Sequence, residues 1–224
     1  MSLSAPPADS ALAVVIEDLK KLGADVLEQR PDIIRLHVSA NRLVDVVRGL
    51  MRQENVYLRT MAASDERSLS GFFKLYYVFG IDHLHKNIVI EVSLSEKNPV
   101  APSLVDLVKA VDWYEREAHD LMGIEFEGRK LHKFVLPSDW PDNIYPLRKD
   151  YSVEDLKKLY KPAVEHAREV GAEVTVIIPI GPYHPALHEP EYFELYVRGE
   201  KVVDVRYVGF MVHRGIEKLG ENMK

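Results

Sequence analysis

Apolar residues in the first fifth of the chain recur at helical, then at strand spacing. Over 11–22, Leu12, Val15, Ile16, Leu19 and Leu22 fall on one helical face, and Gly23 follows as a stop. The next segment, "ADVLEQRPDIIRLHV", predicts two short strands with a turn at Arg30-Pro31-Asp32. In the second, Ile34, Leu36 and Val38 alternate with Arg35 and His37. Helical spacing returns over 41–53, with Leu43, Val46, Val47, Leu50 and Met51 facing inward. Three strands follow, in "NVYLRTMAASDERS", "GFFKLYYVFGI" and "KNIVIEVSL", rich in aromatic and β-branched residues. Residues 103–121 read as helical, interrupted near Val111-Asp112 and stopped by Gly123.

The order α-β-β-α-β-β-β-α predicts an α+β domain over 11–125, an antiparallel sheet with helices on one face. Residues 1–10 read as a disordered lead. From 126 to 151 the pattern lapses, with Pro137, Pro141 and Pro146, and this stretch reads as an extended, Pro-rich docking arm. Residues 152–172 are polar and helical, broken by Pro162, and read as a linker. The remainder, 173–224, predicts a strand ("EVTVIIPI") and a hairpin ("EYFELYV", "RGEK", "VVDVRYV"). So short a segment cannot bury a core of its own. It reads as the opening of a larger domain, the rest supplied elsewhere.

Composition narrows the function classes. The 224 residues carry a formal net charge of −6, which argues against a phosphate-binding surface and hence a nucleic-acid partner. The chain has no cysteine, so it can build no thiolate-ligated zinc or iron–sulfur site from its own side chains. The start has neither the basic stretch nor the apolar core of a signal peptide, and no apolar run reaches membrane-spanning length. A cytoplasmic or peripheral location is expected.

Four stretches carry candidate chemistry. In "VDWYEREAHDLMGIEFEGRK" (111–130), helical spacing puts Asp112, Glu115, Glu117 and Asp120 on an acidic surface, with Trp113, Tyr114, Ala118 and Leu121 on the apolar side. The acidic face is either simply solvated, with Glu–Arg helix pairs, or a recognition surface for a basic partner. Paired carboxylates for acid–base work are a third reading, but no nucleophile or metal ligand lies nearby. In "LPSDWPDNIYPLRKDY" (136–151), Trp140 and Tyr145 offer flat contacts, Pro146 stiffens the chain and Arg148-Lys149-Asp150 forms a charged knot. That suits docking along another protein or packing on the arm's own domain. "DHLHK" (82–86) reads as a solvated hairpin tip.

The fourth stretch is "IPIGPYHPALHEPEYF" (178–193), followed by "VHRGIEK" (212–218). His184 and His188 are four apart, but Pro185 lies between them and forbids a shared helix face. A preorganised hydrogen-bonding loop at a ligand pocket fits better than metal ligation. His213, Arg214 and Glu217 are expected to start the final helix, with His213 and Glu217 on one face. No metal site is expected.

Together these motifs resemble a known pair of neighbouring polypeptides. "WYEREAHDLMGIEFEG" with "LPSDWP…YPLRKDY" resembles the C-type (30 kDa) subunit of respiratory complex I, a domain shared with energy-converting, membrane-bound nickel–iron hydrogenases. "GPYHPALHEPEYFELYVRGEKVVDVRYVGFMVHRGIEKL" resembles the N-terminal part of the adjoining D-type polypeptide, or of the hydrogenase large subunit. The resemblance spans roughly 30–151 and 175–220. It implies an α+β domain whose arm docks on the D-type polypeptide, so that Glu115, Glu117, Asp120, Trp140, Pro146, Arg148, Lys149 and Asp150 become assembly surfaces. It implies that His188 is placed to hydrogen-bond a quinone headgroup, with His184, His213, Arg214 and Glu217 close to the active site. Glu189-Pro190 stands where the quinone-reductase motif has glycine, and the wording is closer to the hydrogenase-related branch.

The implied role is a peripheral-arm subunit of a complex I-like oxidoreductase, NADH:quinone or energy-converting hydrogenase/formate hydrogenlyase in type, on the cytoplasmic side of the membrane. It is not active alone and binds no cofactor by itself. Iron–sulfur clusters, together with a nickel–iron centre or a quinone, would belong to the complex. The implied partners are the remainder of the D-type polypeptide, a small iron–sulfur protein and an I-type ferredoxin. The alternative is an assembly protein with no part at the redox site.

Overall fold

The computed structural model describes residues 8–137, 140–159, 176–209, 213 and 215–221. The chain divides into two compact units, 1–131 and 132–224.

The first unit opens with helix α1 (Ala8–Lys21), strands β1 (Ala24–Gln29) and β2 (Ile33–Val38), and helix α2 (Leu43–Leu50). Strand β3 (Val56–Glu66), a single turn α3 (Arg67–Ser70), and strands β4 (Phe72–Ile81) and β5 (Lys86–Ser95) follow. A short strand β6 (Val100–Pro102), helix α4 (Val111–Met122) and strand β7 (Glu125–Glu127) complete it. The fold class is α+β, as the element order implies. The five strands lie in the order β1-β2-β5-β4-β3. All neighbours run antiparallel except β2 and β5, which run parallel in register Leu36↔Ile90. The sheet is therefore mixed rather than wholly antiparallel. Alternation along a strand tells which face is buried but not which strand lies alongside, so the parallel pair leaves no mark in the sequence. The same holds for β6 and β7, a two-stranded parallel pair whose second strand runs into the start of the expected arm.

The core is built in rows across the strands. Leu36, Ile90 and Tyr77 face each other on β2, β5 and β4, as do Ile34, Ile88 and Phe79, and all six are fully buried. The inward stripes of the helices are buried as well: Leu12, Val15, Ile16 and Leu19 on α1, and Leu43, Val46, Val47 and Leu50 on α2. Each such side chain contributes about 1.5–3 kcal/mol through removal from water. Tyr77 is the exception within the core. Its hydroxyl has no hydrogen-bond partner among the described residues, and burial, reinforced by the nearby Glu115 charge, pushes its pKa well up. Tyr77→Phe removes an unsatisfied polar atom, so it is expected to raise stability by up to about 1 kcal/mol in urea unfolding. A loss of stability would show that the hydroxyl is satisfied in solution.

The opposite face of the sheet is polar and pairs with itself. Arg35 on β2 and Lys74 on β4 reach Glu91 on β5, at 2.9 and 2.5 Å. Lys74 also lies 3.4 Å from Glu66 on β3, which accepts a 2.6 Å hydrogen bond from Tyr76. On the other side Arg35 lies 3.5 Å from Glu28 of β1. Opposite charges thus alternate across all five strands. Glu91 is only 4% exposed. Burial pushes its carboxyl up, but the hydrogen bonds from Lys74 and Arg35 outweigh that and hold its pKa below the usual carboxylate range.

In the second unit, helix α5 (Val153–Leu159) occupies the start of the expected linker; residues 160–175 lie outside the described residues. Strands β8 (Val176–Ile180), β9 (Tyr192–Arg198) and β10 (Lys201–Val208) form an antiparallel sheet in the order β10-β9-β8, and helix α6 (Ile216–Gly220) follows. Gly199, at φ 61°, supplies the left-handed residue of the tight turn between β9 and β10. No described helix is long and apolar enough to cross a membrane. The boundary at 131/132 falls inside the stretch expected as one arm: 126–131 belongs with the first sheet, 132–151 with the second.

Candidate functional site

Two motifs leave the same end of the small sheet. Ile180 pairs with Phe193 and Val208 pairs with Tyr192, so the 181–191 loop and the 209–215 connection both start from that end. Gly181, at φ 92°, starts the loop; a Cβ there would lie 1.9 Å from the Glu191 carbonyl oxygen. Only glycine can turn the chain in that space. His184 organises the turn that follows. Its Nδ1 accepts a hydrogen bond from the Ala186 N–H at 3.2 Å, and its carbonyl accepts one from the Leu187 N–H at 2.9 Å. Its exposed ring therefore has one nitrogen engaged locally. His188 is also exposed, on a loop stiffened by Pro182, Pro185 and Pro190.

His213 approaches Glu217, Nε2 to Oε1 3.6 Å, as their spacing predicts, but not on one helix. The helix starts only at Ile216, and Gly215 before it is left-handed at φ 59°. His213 thus precedes the helix rather than starting it, because the left-handed glycine ends any helical path from the preceding segment. Arg214 lies outside the described residues.

The helix carrying Glu217 is held by the arm. Lys218 is 6% exposed, and its ammonium donates to the Arg148 carbonyl at 2.9 Å and lies 3.2 Å from the Glu221 carboxylate. Lys149 reaches the same Glu221 at 2.5 Å. Arg148 extends its guanidinium over the Tyr145 ring, 4.4 Å from its centroid. Farther back, the Trp140 indole N–H donates to the Ile144 carbonyl at 2.8 Å, and Lys133 pairs with Asp142 at 2.8 Å. Pro146 is half-buried and Asp150 exposed. Arg148 and Lys149 thus both engage α6 of their own chain, and Lys149 stays 47% exposed.

The acidic helix differs from the sequence expectation. Glu117 is exposed, but Glu115 is fully buried and Asp120 is 3% exposed, while Trp113, assigned to the apolar side, is 66% exposed. Glu115 is a structural hub. It accepts hydrogen bonds from Ser103 Oγ (2.8 Å), the Leu104 N–H (2.8 Å) and Arg129 (2.5 Å), and Arg129 also grips Asp112. Burial works against the Arg129 charge, and the two carboxylates more than offset it, raising its pKa. Glu115 and Asp120 thus do not lie on a docking surface of this chain. A signal for this is present in the sequence: Val111, Ala118 and Met122 form a buried stripe, and Glu115 sits in its middle at 4-3-4 spacing.

Metal-ligand chemistry finds no set of donors. The chain has no cysteine, and no group of three or more His, Cys, Asp or Glu side chains among the described residues is placed to hold a metal ion. The described residues do not fit an iron–sulfur or nickel–iron group.

Known proteins resemble the chain along most of its length. Formate hydrogenlyase subunit 5 of Escherichia coli (strain K12) is 35% identical over 215 residues, spanning 94% of this chain and 38% of the relative. The fused C/D polypeptide of NADH-quinone oxidoreductase from Methylococcus capsulatus is 27% identical over 253 residues, spanning 98% of this chain and 42% of the relative. The chain thus covers about two-fifths of the length of these relatives. Among solved structures, a chain from the membrane-bound sulfane sulfur reductase, an archaeal respiratory membrane complex, shares the fold. Its TM-score is 0.54 at 24% identity, over 71% of this chain and 96% of that one. The family described as "Respiratory-chain NADH dehydrogenase, 30 Kd subunit" matches residues 36–157, from the middle of β2 through the rest of the sheet unit, the arm and most of α5, and the chain belongs to that family.

Proposed function

We propose that this protein is a peripheral subunit of a membrane-associated, complex I-like oxidoreductase. It joins the 30 kDa-type domain to the start of a D-type, hydrogenase large-subunit-like domain and supports electron transfer to a quinone or to protons. One observation supports the reading: similarity to Formate hydrogenlyase subunit 5 runs through 94% of the chain, so it takes in nearly all of the sheet unit and the histidine loop. Redox groups belong to other polypeptides of the complex, among them a small iron–sulfur protein and a ferredoxin-type protein. The location is the cytoplasmic face of the membrane. The chain's own contribution is positional. The arm fixes α6, α6 fixes Glu217 beside His213, and the proline-stiffened loop holds His188 toward the acceptor.

His188→Ala tests this in the assembled complex. Loss of one well-placed hydrogen bond is expected to slow turnover about tenfold while every polypeptide of the complex is retained. Unchanged turnover with intact assembly would leave the chain a scaffold with no part at the redox site.

A further inference from the structure

Helix α6 is anchored by a charge rather than by an apolar stripe. It has five residues, too few to be stable by itself, so its position depends on what it packs against. Apolar side chains ordinarily supply that hold, but Ile216 is 70% exposed and Leu219 48%. The one buried residue of the helix is Lys218. A lysine is almost never buried unless it is paired. This one directs its ammonium at the Arg148 carbonyl (2.9 Å) and the Glu221 carboxylate (3.2 Å).

The link in front of the helix does not fix it. Gly215 is left-handed at φ 59°, and among the described residues nothing from elsewhere in the chain comes within 4 Å of where its Cβ would lie. The rotation of α6 is therefore set from the other side, where Lys218 meets Arg148 and Glu221 meets Lys149 at 2.5 Å. Glu217 directly precedes Lys218, and neighbours on a helix point about 100° apart. Pinning Lys218 thus fixes the direction of Glu217, whose carboxylate lies 3.6 Å from His213 Nε2. His213 stands on the far side of Gly215, so this approach is not a property of one helix and is lost if α6 turns or slides.

We infer that Lys218 is a positioning residue for turnover: by gripping the arm's backbone at Arg148 it sets the rotation of α6 and so holds Glu217 against His213. The inference rests on the functional reading above and adds to it a side chain that acts only through its neighbour. A lysine that merely stabilises the unit would lower turnover whatever stands at position 217. A positioning lysine loses its effect once the Glu217 carboxylate is gone, because there is nothing left for it to place.

The test is a double-mutant cycle in the native complex isolated through this chain, with Lys218→Met, Glu217→Gln and the two combined. Turnover is counted per assembled complex, in whichever of two assays the wild type supports: reduction of a water-soluble quinone, or hydrogen evolution from reduced methyl viologen. Small displacements of a site group cost up to about a hundredfold, and each single substitution is expected to slow turnover about tenfold. Added to Glu217→Gln, Lys218→Met is expected to slow it by less than about twofold more. Equal losses in the two backgrounds overturn the inference. So does unchanged turnover in Lys218→Met, which would mean that Ile216 and Leu219 hold the helix in the complex. Should Lys218→Met fail to assemble, Glu221→Gln enters the same cycle. It keeps the Arg148 contact and weakens the carboxylate end, so a loss of about threefold is expected, again absent beside Glu217→Gln. Equal losses in the two backgrounds overturn the inference there as well. Full turnover in Glu217→Gln overturns the inference alone, since His188→Ala still tests the functional reading. A wild-type complex active in neither assay overturns that reading and the inference with it.

Discussion

Glu115→Ala is expected to destabilise the sheet unit by about 3–5 kcal/mol, the range for removing one partner of a buried ion pair. Three groups lose their acceptor at once: the Arg129 guanidinium, the Leu104 N–H and the Ser103 hydroxyl. Arg129 is 13% exposed, so water cannot replace the carboxylate freely. It keeps Asp112, itself a quarter exposed. The Leu104 N–H is buried and becomes an orphan donor, which costs on the order of 1–3 kcal/mol by itself. Glu115→Gln retains acceptor geometry without charge and is expected to fall between wild type and alanine. Glu117→Ala, on the exposed side of the same helix, is expected to change stability by less than about 0.5 kcal/mol. Urea unfolding of the three variants checks the order. A Glu115→Ala loss no larger than that of Glu117→Ala would contradict the hub assignment.

That helix also shows where the sequence is legible and where it misleads. Its apolar spacing identifies the element, and the glycine stop is real, since Gly123 caps it at φ 67°. Grouping side chains by chemistry fails, because it places every carboxylate outside and every aromatic inside. The stripe of Val111, Ala118 and Met122 fixes the buried side by geometry, and Glu115 falls within it because Arg129 comes from beyond the helix to neutralise it. A long-range pair of that kind is invisible to local periodicity. The sheet repeats the lesson. Alternation identifies the core faces of β2 and β5, while their parallel pairing depends on a return of the chain that no local pattern records. At the candidate site the prolines and Gly181 announce a stiff loop. The burial of Lys218 does not show, because a lysine in the last turn of a polar helix ordinarily lies in water.

Lys218 therefore carries the second large expectation. Lys218→Met keeps the length and apolar volume of the stem but removes the charge that ties α6 to the arm. Hydrogen bonds from a charged donor to a buried acceptor are worth about 1.5–3 kcal/mol, and Lys218 holds the Arg148 carbonyl at 2.9 Å besides its 3.2 Å approach to Glu221. The arm's amides over 145–151 are expected to exchange about 10- to 150-fold faster, with no change in β4 and β5 of the first unit. Lys149→Ala separates this latch from ordinary surface pairing. Lys149 reaches the same carboxylate at 2.5 Å, but it is 47% exposed, and pairs of that kind contribute about 0–1 kcal/mol. Its loss is expected to speed exchange less than about fivefold. Equal effects from the two lysines would mean that the carboxylate, rather than the buried carbonyl contact, fastens the arm. If Lys218→Met leaves exchange unchanged, the arm is held by Trp140 and Tyr145 instead, and α6 is free to move without it. The two lysines converge on one acidic residue, and burial alone sets their effects apart: the exposed one can trade its partner for water, and the buried one cannot.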